Sequence, residues 1–249
     1  MKEETIAKVK EETDNWAYMQ NLPASWHGFT LDRGVHIEKD MYDLYRYYND
    51  AEHKSVTIYF HEETHEYKVR LKIGLIEFCR IEFITAKLTV FEDLLIKQFE
   101  QVLMDMESFN INSISSIVID KGIMEWEDAK DLPANAEGFL LFIRPQEPVK
   151  INNGSYIVID YVDFALESSF TVYYNIYRDE FFAEARIWNI PDVNYDFDSA
   201  DLAELKEKLQ AKMLPRLKQV RNLAEQEAVK RQQKVQAAAK SPSKGRFKA

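Results

Sequence analysis

The sequence contains few of the residues that interrupt a chain or tie it covalently. Among 249 residues there are seven glycines, seven prolines and one cysteine, Cys79. One cysteine excludes an internal disulfide and favours a reducing compartment. Glycine and proline well below the roughly 7% and 5% of average usage predict short loops and extensive regular structure. No run of about 18 apolar residues and no signal-like N-terminal segment occurs. We therefore expect a cytoplasmic protein without a membrane span.

Charge is distributed unevenly along the chain. The net charge is −10, but residues 228–249 carry seven basic residues and no acid, so residues 1–227 alone carry −17. An acidic body argues against nucleic-acid binding, whereas the basic tail suits either an anionic partner or a simple solvated terminus. The basic residues are Lys230, Arg231, Lys234, Lys240, Lys244, Arg246 and Lys248.

Two segments of the chain repeat each other. Seven positions recur at a constant displacement of 110 residues, and five more recur at 114. Seven identities within sixteen residues greatly exceed chance, so the sequence predicts an internal duplication. The first set is Trp16, Leu22, Pro23, Ala24, Gly28, Phe29 and Leu31, which return as Trp126, Leu132, Pro133, Ala134, Gly138, Phe139 and Leu141. The second set is Ser55, Thr57, Ile58, Tyr59 and Phe60, which return as Ser169, Thr171, Val172, Tyr173 and Tyr174.

Each copy has the pattern of an antiparallel meander closed by a helix. In copy one we expect a helix over 2–20, strands over 42–48, 55–61, 66–73 and 76–84, and a helix beginning at a capping box of Thr89 and Glu92. In copy two we expect strands over 138–144, 155–163, 168–176 and 180–188, a turn at Asn153-Gly154, and a helix capped by Asp198 or Ser199.

The two copies differ in the segment that follows the meander. Pro215 predicts a kink or break in the second closing helix, followed by an exposed polar helix over 216–238 and a disordered end, SPSKGRFKA. The linker of copy one contains ISSIVID, which suits a strand or a helix equally well. The predicted fold is therefore α+β, with repeats at 1–110 and 111–217 related by a pseudo-twofold and an extension at 218–249.

HEETH at 61–65 is the most specific candidate for a catalytic or metal-binding motif. It resembles the HExxH pattern of zincin metalloproteases, in which His61 and His65 would bind zinc and Glu62 would activate water. That pattern requires a helix, but here strand-like segments flank it, so we expect the end of a strand and a hairpin turn. A weak metal site made by His61, His65 and His53 is the alternative. No cofactor and no metal are predicted.

Other candidate residues have simpler structural interpretations. Asp192, Asn194 and Asp196 match the start of a calcium loop, but Phe197 and Ala203 occupy its diagnostic glycine and glutamate positions. Trp16 and Trp126 are expected to anchor the two cores. Trp26 has no repeat counterpart, so it and His27 are expected on a binding surface, with ordinary partial burial as the alternative. All five histidines lie in copy one: His27, His36, His53, His61 and His65.

These patterns favour a non-catalytic protein-binding or adaptor protein, of an immunity-like or chaperone-like kind. Its partner would be a protein, bound through a groove or by strand addition at a sheet edge. The alternative is a metal- or carboxylate-dependent hydrolase with a cleft between the repeats. No catalytic residue can be assigned from the sequence.

Overall fold

A computed structural model of the chain describes residues 1–151 and 154–240. It contains two antiparallel sheets of seven strands each, together with helices that include a long C-terminal helix. The fold is the duplicated α+β architecture that the sequence predicts. The predicted turn at Asn153 and the segment SPSKGRFKA lie outside the described residues. The chain divides into two compact units, one of residues 1–119 with 149–155 and one of residues 120–148 with 156 onwards.

The first unit contains the sheet with strand order β1-β2-β4-β5-β6-β7, with β3 pairing to β4. Its strands are β1 (Ser25–Trp26), β2 (Phe29–Asp32), β3 (His36–Glu38), β4 (Met41–Asn49), β5 (Lys54–His61), β6 (Glu66–Ile73) and β7 (Ile76–Cys79). Its helices are α1 (Glu3–Thr13), α2 (Ala17–Gln20), α3 (Leu88–Glu107) and α4 (Ser116–Asp120), with short 3-10 turns at Ile81–Phe83 and Ile111–Ser113.

Helix α3 packs its apolar stripe on one face of this sheet. Phe91 and Phe99 are fully buried and meet sheet tyrosines, with the Phe91 ring 5.5 Å from that of Tyr67 and the Phe99 ring 5.9 Å from that of Tyr47. Trp16 is 5% exposed and lies 6.5 Å from Phe91. Burying aromatic rings at these separations adds both apolar area and ring contacts to the stability of the core.

Three boundaries in the first unit differ from the prediction. The helix expected over 2–20 is two helices, because Asp14 to Trp16 leave the helical path before α2. The last strand ends at Cys79 rather than at 84, since Ile81–Phe83 form a 3-10 turn. Helix α3 begins at Leu88 behind Lys87, which makes no side-chain cap. The predicted capping box is therefore wrong, and the Glu92 carboxylate instead accepts a hydrogen bond from Trp16 Nε1 at 2.7 Å.

The second sheet repeats this plan, with strand order β14-β13-β12-β11-β9-β8 and β10 pairing to β11 as its seventh strand. The strands are β8 (Asn135–Ala136), β9 (Phe139–Ile143), β10 (Val149–Lys150), β11 (Ser155–Asp163), β12 (Ser168–Asn175), β13 (Glu180–Ile187) and β14 (Ile190–Val193). A 3-10 helix spans Glu127–Asp131, and α5 spans Leu202–Lys240.

Helix α5 corrects three predictions. Its cap is Asp201, whose carboxylate accepts from the Glu204 amide at 2.8 Å, whereas Ser199 pairs with Phe181. The helix continues through Pro215, so the predicted break is wrong. The segment after Pro215 is also less exposed than expected, because burying the apolar residues there outweighs the loss of one backbone hydrogen bond. The buried residues are Arg216, Leu217, Val220 and Ala224.

The duplication extends to individual hydrogen bonds. Tyr47 donates its hydroxyl to the carbonyl of Pro23 at 2.7 Å, and Tyr161 donates to the carbonyl of Pro133 at 2.9 Å. The Leu31 amide bonds to Ala24 and the Leu141 amide bonds to Ala134, both at 2.9 Å. The paired backbone bonds between Tyr67 and Thr85 recur between Phe181 and Ser199. The repeated letters therefore mark repeated backbone geometry.

Candidate functional site

HEETH forms a hairpin turn, as the sequence predicts. His61 is the last residue of β5 and Glu66 the first of β6, so Glu62 to His65 make the turn between two paired strands. The helix on which zincin ligands lie is absent from this segment. Glu62 is also engaged elsewhere: its carboxylate accepts the Lys2 amide at 2.7 Å. That hydrogen bond holds the pKa of Glu62 below its ordinary value.

His61 lies in a group of three side chains that could together hold a metal ion, which the sequence did not predict. Its Nε2 is 3.0 Å from Oδ2 of Asp40, and the possible ligand atoms of Asp40, His61 and Glu63 all lie within 4.8 Å of one another. Asp40 reaches this position because it precedes Met41, which pairs with His61 across the β4–β5 register. His65 lines an adjoining depression of about 380 Å³ together with Lys2, Asp40, Glu62 and Glu63.

The proposed trio of His61, His65 and His53 is not brought together. His53 precedes β5 and His61 ends it, so the length of an eight-residue strand separates them, about 26 Å at the usual rise. A sequence argument missed Asp40 because the register between β4 and β5, and not spacing along the chain, places it beside His61.

The acidic loop at 192–196 is held by cations of helix α5. Asp192 Oδ2 is 2.9 Å from the Arg216 guanidinium, and Asp196 Oδ1 is 3.3 Å from Lys212 Nζ. Hydrogen bonds from Asn194, followed by the Lys212 contact, lower the pKa of Asp196. These carboxylates therefore tie the β14–α5 connection to helix α5.

The tryptophans differ in exposure. Trp16 and Trp126 are each 5% exposed and belong to the two cores, as predicted. Trp26 is half-buried against Phe99 and Tyr47, with ring separations of 5.9 and 6.0 Å. Trp26 is therefore tied into the rim of the core, so the structure does not favour it as a binding surface.

His27 is likewise occupied within the first unit. Its Nε2 is 3.1 Å from Glu100 and its Nδ1 is 3.6 Å from Glu107, two carboxylates on the outer side of α3. These contacts tie the β1–β2 turn to α3. The structure therefore gives His27 a local partner rather than leaving it available for a ligand.

The segment 108–119, SFNINSISSIVI, contains no charged residue. Four of its large apolar side chains are well exposed: Phe109 at 38%, Ile111 at 53%, Ile117 at 45% and Ile119 at 38%. Val118 and Ile114 point inward and anchor the segment. We call residues 108–119 the apolar linker. The aligned positions of copy two lie within the charged helix α5, so the apolar linker is specific to copy one.

The edge strand β14 is poorly suited to strand addition. Ile187 and Ile190 flank the two-residue turn to β13, which places them in a hydrogen-bonded pair. Pro191 is then the next residue whose backbone faces outward, and proline has no N–H to offer a partner. Proline at such a position protects an edge from pairing. Of the two outward-facing residues of β14, Pro191 and Val193, only Val193 therefore keeps a backbone donor for an added strand.

A buried carboxyl group lies in the second sheet. Asp160 is fully buried on β11, and its Oδ1 accepts a hydrogen bond from Thr171 at 2.7 Å. Its Oδ2 has no hydrogen-bond partner among the described residues. Burial raises the pKa of Asp160 to about 7, although the Thr171 hydrogen bond and Arg186 oppose the shift. No sequence motif marks this residue.

Comparison with known protein families, with characterised proteins and with solved structures finds no match to this chain. In the part of the chain that the structure describes, no helix is long and apolar enough to cross a bilayer. Function must therefore be argued from the surfaces and side-chain groups themselves.

Proposed function

We propose that this chain is a non-catalytic protein-binding or adaptor protein of the cytoplasm, and that the apolar linker is its main contact surface. The observation that carries the proposal is the combination of four large, exposed apolar side chains with twelve consecutive uncharged residues. Residues 15–31 also lack Asp, Glu, Lys and Arg, but they contain no large apolar side chain as exposed as the four in the apolar linker. Exposed apolar surface of this kind is typical of protein–protein contact sites.

The acidic residues on either side of the apolar linker indicate what kind of partner surface would be complementary to it. Asp105 and Glu107 precede it at the end of α3, and Asp120 follows it. An apolar centre bordered by acidic residues is complementary to a protein surface with an apolar patch bordered by lysine or arginine. The apolar residues would supply affinity, while the charges would favour association and correct orientation.

The test compares charge substitutions inside and outside the apolar linker. Ile111→Asp places a carboxylate at the centre of the proposed contact. Ile81→Asp is the matched control, because Ile81 is also in the first unit and is 63% exposed. Proteins captured by the full chain from lysate of the source organism would be identified by mass spectrometry. The purified partner would then be titrated calorimetrically against the wild type and both variants.

We expect Ile111→Asp to raise the Kd of the partner at least about tenfold, the loss of a hot-spot side chain of about 1.4 kcal/mol or more. Ile81→Asp should leave the Kd unchanged. A partner bound equally well by both variants would place the interface elsewhere and contradict the proposal. Absence of any stoichiometric partner would contradict it as well and would favour the hydrolase alternative.

A further inference from the structure

We propose that Asp40, His61 and Glu63 form a binding site for one first-row divalent transition-metal ion, such as Zn²⁺, Co²⁺ or Ni²⁺. The site would lie at the hairpin end of the first sheet and is independent of the protein-binding surface proposed above. It also differs from the zincin arrangement, because it uses one histidine of HEETH and not the other.

The donor set suits these ions. One imidazole and two carboxylates form a mixed nitrogen and oxygen set, which borderline ions of this series accept readily. Hard ions such as Mg²⁺ prefer oxygen ligands alone. The two carboxylates also neutralise the charge of a divalent ion, and the carboxylates of Glu62 and Glu66 lie in the same hairpin.

The observed separations are close to those of a bound state. Two ligand atoms held at about 2.1 Å from one ion at right angles are about 3.0 Å apart. His61 Nε2 and Asp40 Oδ2 are 3.0 Å apart, so both atoms could bind one ion with little movement of either side chain. Glu63 is exposed at the turn, and its side chain is free to close the remaining distance within the 4.8 Å group.

Thr64 would orient the imidazole. Its Oγ1 lies 3.0 Å from Nδ1 of His61, the ring nitrogen that faces away from Asp40. The Thr64 backbone N–H also lies near Nδ1, at the longer distance of 3.4 Å. In the tautomer that carries its proton on Nδ1, the Thr64 oxygen accepts that proton and Nε2 is left to bind the ion. Metal-binding histidines commonly have such an acceptor on their second nitrogen.

The test titrates Co²⁺ into the full chain without an affinity tag and follows both visible absorption and heat. Three variants remove one ligand each: Asp40→Asn, His61→Ala and Glu63→Gln. Two variants serve as controls. His65→Ala removes the second zincin histidine, and His36→Ala disrupts a similar pair, since His36 Nε2 lies 3.6 Å from Asp32 Oδ2 outside the three-ligand group. Far-UV circular dichroism of every variant would establish that it is folded.

We expect one Co²⁺ per chain and a Kd raised at least about tenfold by each ligand variant, as the loss of one of three protein ligands implies. His65→Ala and His36→Ala should bind as the wild type does. Because Glu63 is exposed, Glu63→Gln tests the site even if a change at His61 disturbs the hairpin. Absence of binding at millimolar Co²⁺, or equal weakening by His36→Ala, would overturn the proposal. Loss of binding in His65→Ala would favour the zincin arrangement instead.

Discussion

Asp160 is a carboxyl group in a position where ionisation opposes folding. Its side chain is fully buried, and one carboxylate oxygen has no hydrogen-bond partner among the described residues. Because burial raises its pKa to about 7, the folded protein holds a proton that the unfolded chain releases near pH 4. The stabilising effect of that proton is complete below about pH 4 and is lost as the pH rises through about 7.

We therefore predict that Asp160→Asn reduces the pH dependence of stability. Between pH 5 and 8 the wild type should lose about 2 to 3 kcal/mol of unfolding free energy through this residue, whereas the asparagine variant should lose none through it. Urea denaturation of both proteins at several pH values measures the difference. Thr171→Val is a useful comparison, because it removes the hydrogen bond that favours the charged form and should increase the wild-type dependence. Parallel curves for wild type and Asp160→Asn would contradict the assignment.

At the scale of single elements, the same two-residue turn occurs once in each copy with a different neighbour. His27 and Gly28 join β1 to β2, and Glu137 and Gly138 join β8 to β9, with positive φ at all four residues. A Cβ on Gly28 would lie 3.4 Å from Glu107, an ordinary contact, but a Cβ on Gly138 would lie 2.6 Å from Nη1 of Arg221.

This difference predicts unequal effects of the same substitution. Both Gly28→Ala and Gly138→Ala should lose about 1 to 2 kcal/mol because alanine disfavours positive φ. Gly138→Ala should lose about 1 kcal/mol more, since Arg221 must move away from Asp163, which it contacts and whose side chain is 9% exposed. Chemical denaturation of the two variants measures the gap. In an Arg221→Ala background the gap should close, and a gap that persists there would exclude this explanation.

Strands, helix starts and side-chain pairs differ in how well they could be predicted from the sequence. Strands such as β5, β6 and β12 were predicted to within about a residue. Burial alternates along β6, whereas β5 and β12 are buried at nearly every position and were recognised by their β-branched and aromatic residues. Helix starts were predicted less well. The spacing of Thr89 and Glu92 fits a capping box, but α3 begins at Leu88, and the preceding Lys87 makes no side-chain cap. The Asp40–His61 pair could not be predicted at all, since it depends on which residues face each other across β4 and β5.

At the scale of the whole molecule, charge and apolar surface occupy different parts of the chain. Residues 228–249 contain seven basic residues and no acid, whereas the apolar linker at 108–119 has no charge. Two sources of binding are therefore open to experiment: apolar contact through the linker, which is weakly dependent on salt, and attraction of an anionic partner to the basic end, which salt screens strongly.

Ending the chain at Glu227 separates these two contributions. In the described part of the removed segment, Val229 and Val235 are 53% and 70% exposed, and the main interaction is that of the Arg231 guanidinium, 4.3 Å above the Trp188 ring. The hydrogen bond from Trp188 to the Ala224 carbonyl remains in the shortened chain. We therefore expect truncation to lower the free energy of unfolding by no more than about 1 kcal/mol, as measured by chemical denaturation.

The shortened chain also tests where recognition lies. Its net charge should change from −10 to −17, which later elution from an anion exchanger would report. If the apolar linker carries recognition, the partner's Kd at physiological salt should be the same for both lengths. A Kd raised by truncation and also raised by added salt in the full chain would instead assign recognition to the basic end, since only that contact depends on long-range charge attraction.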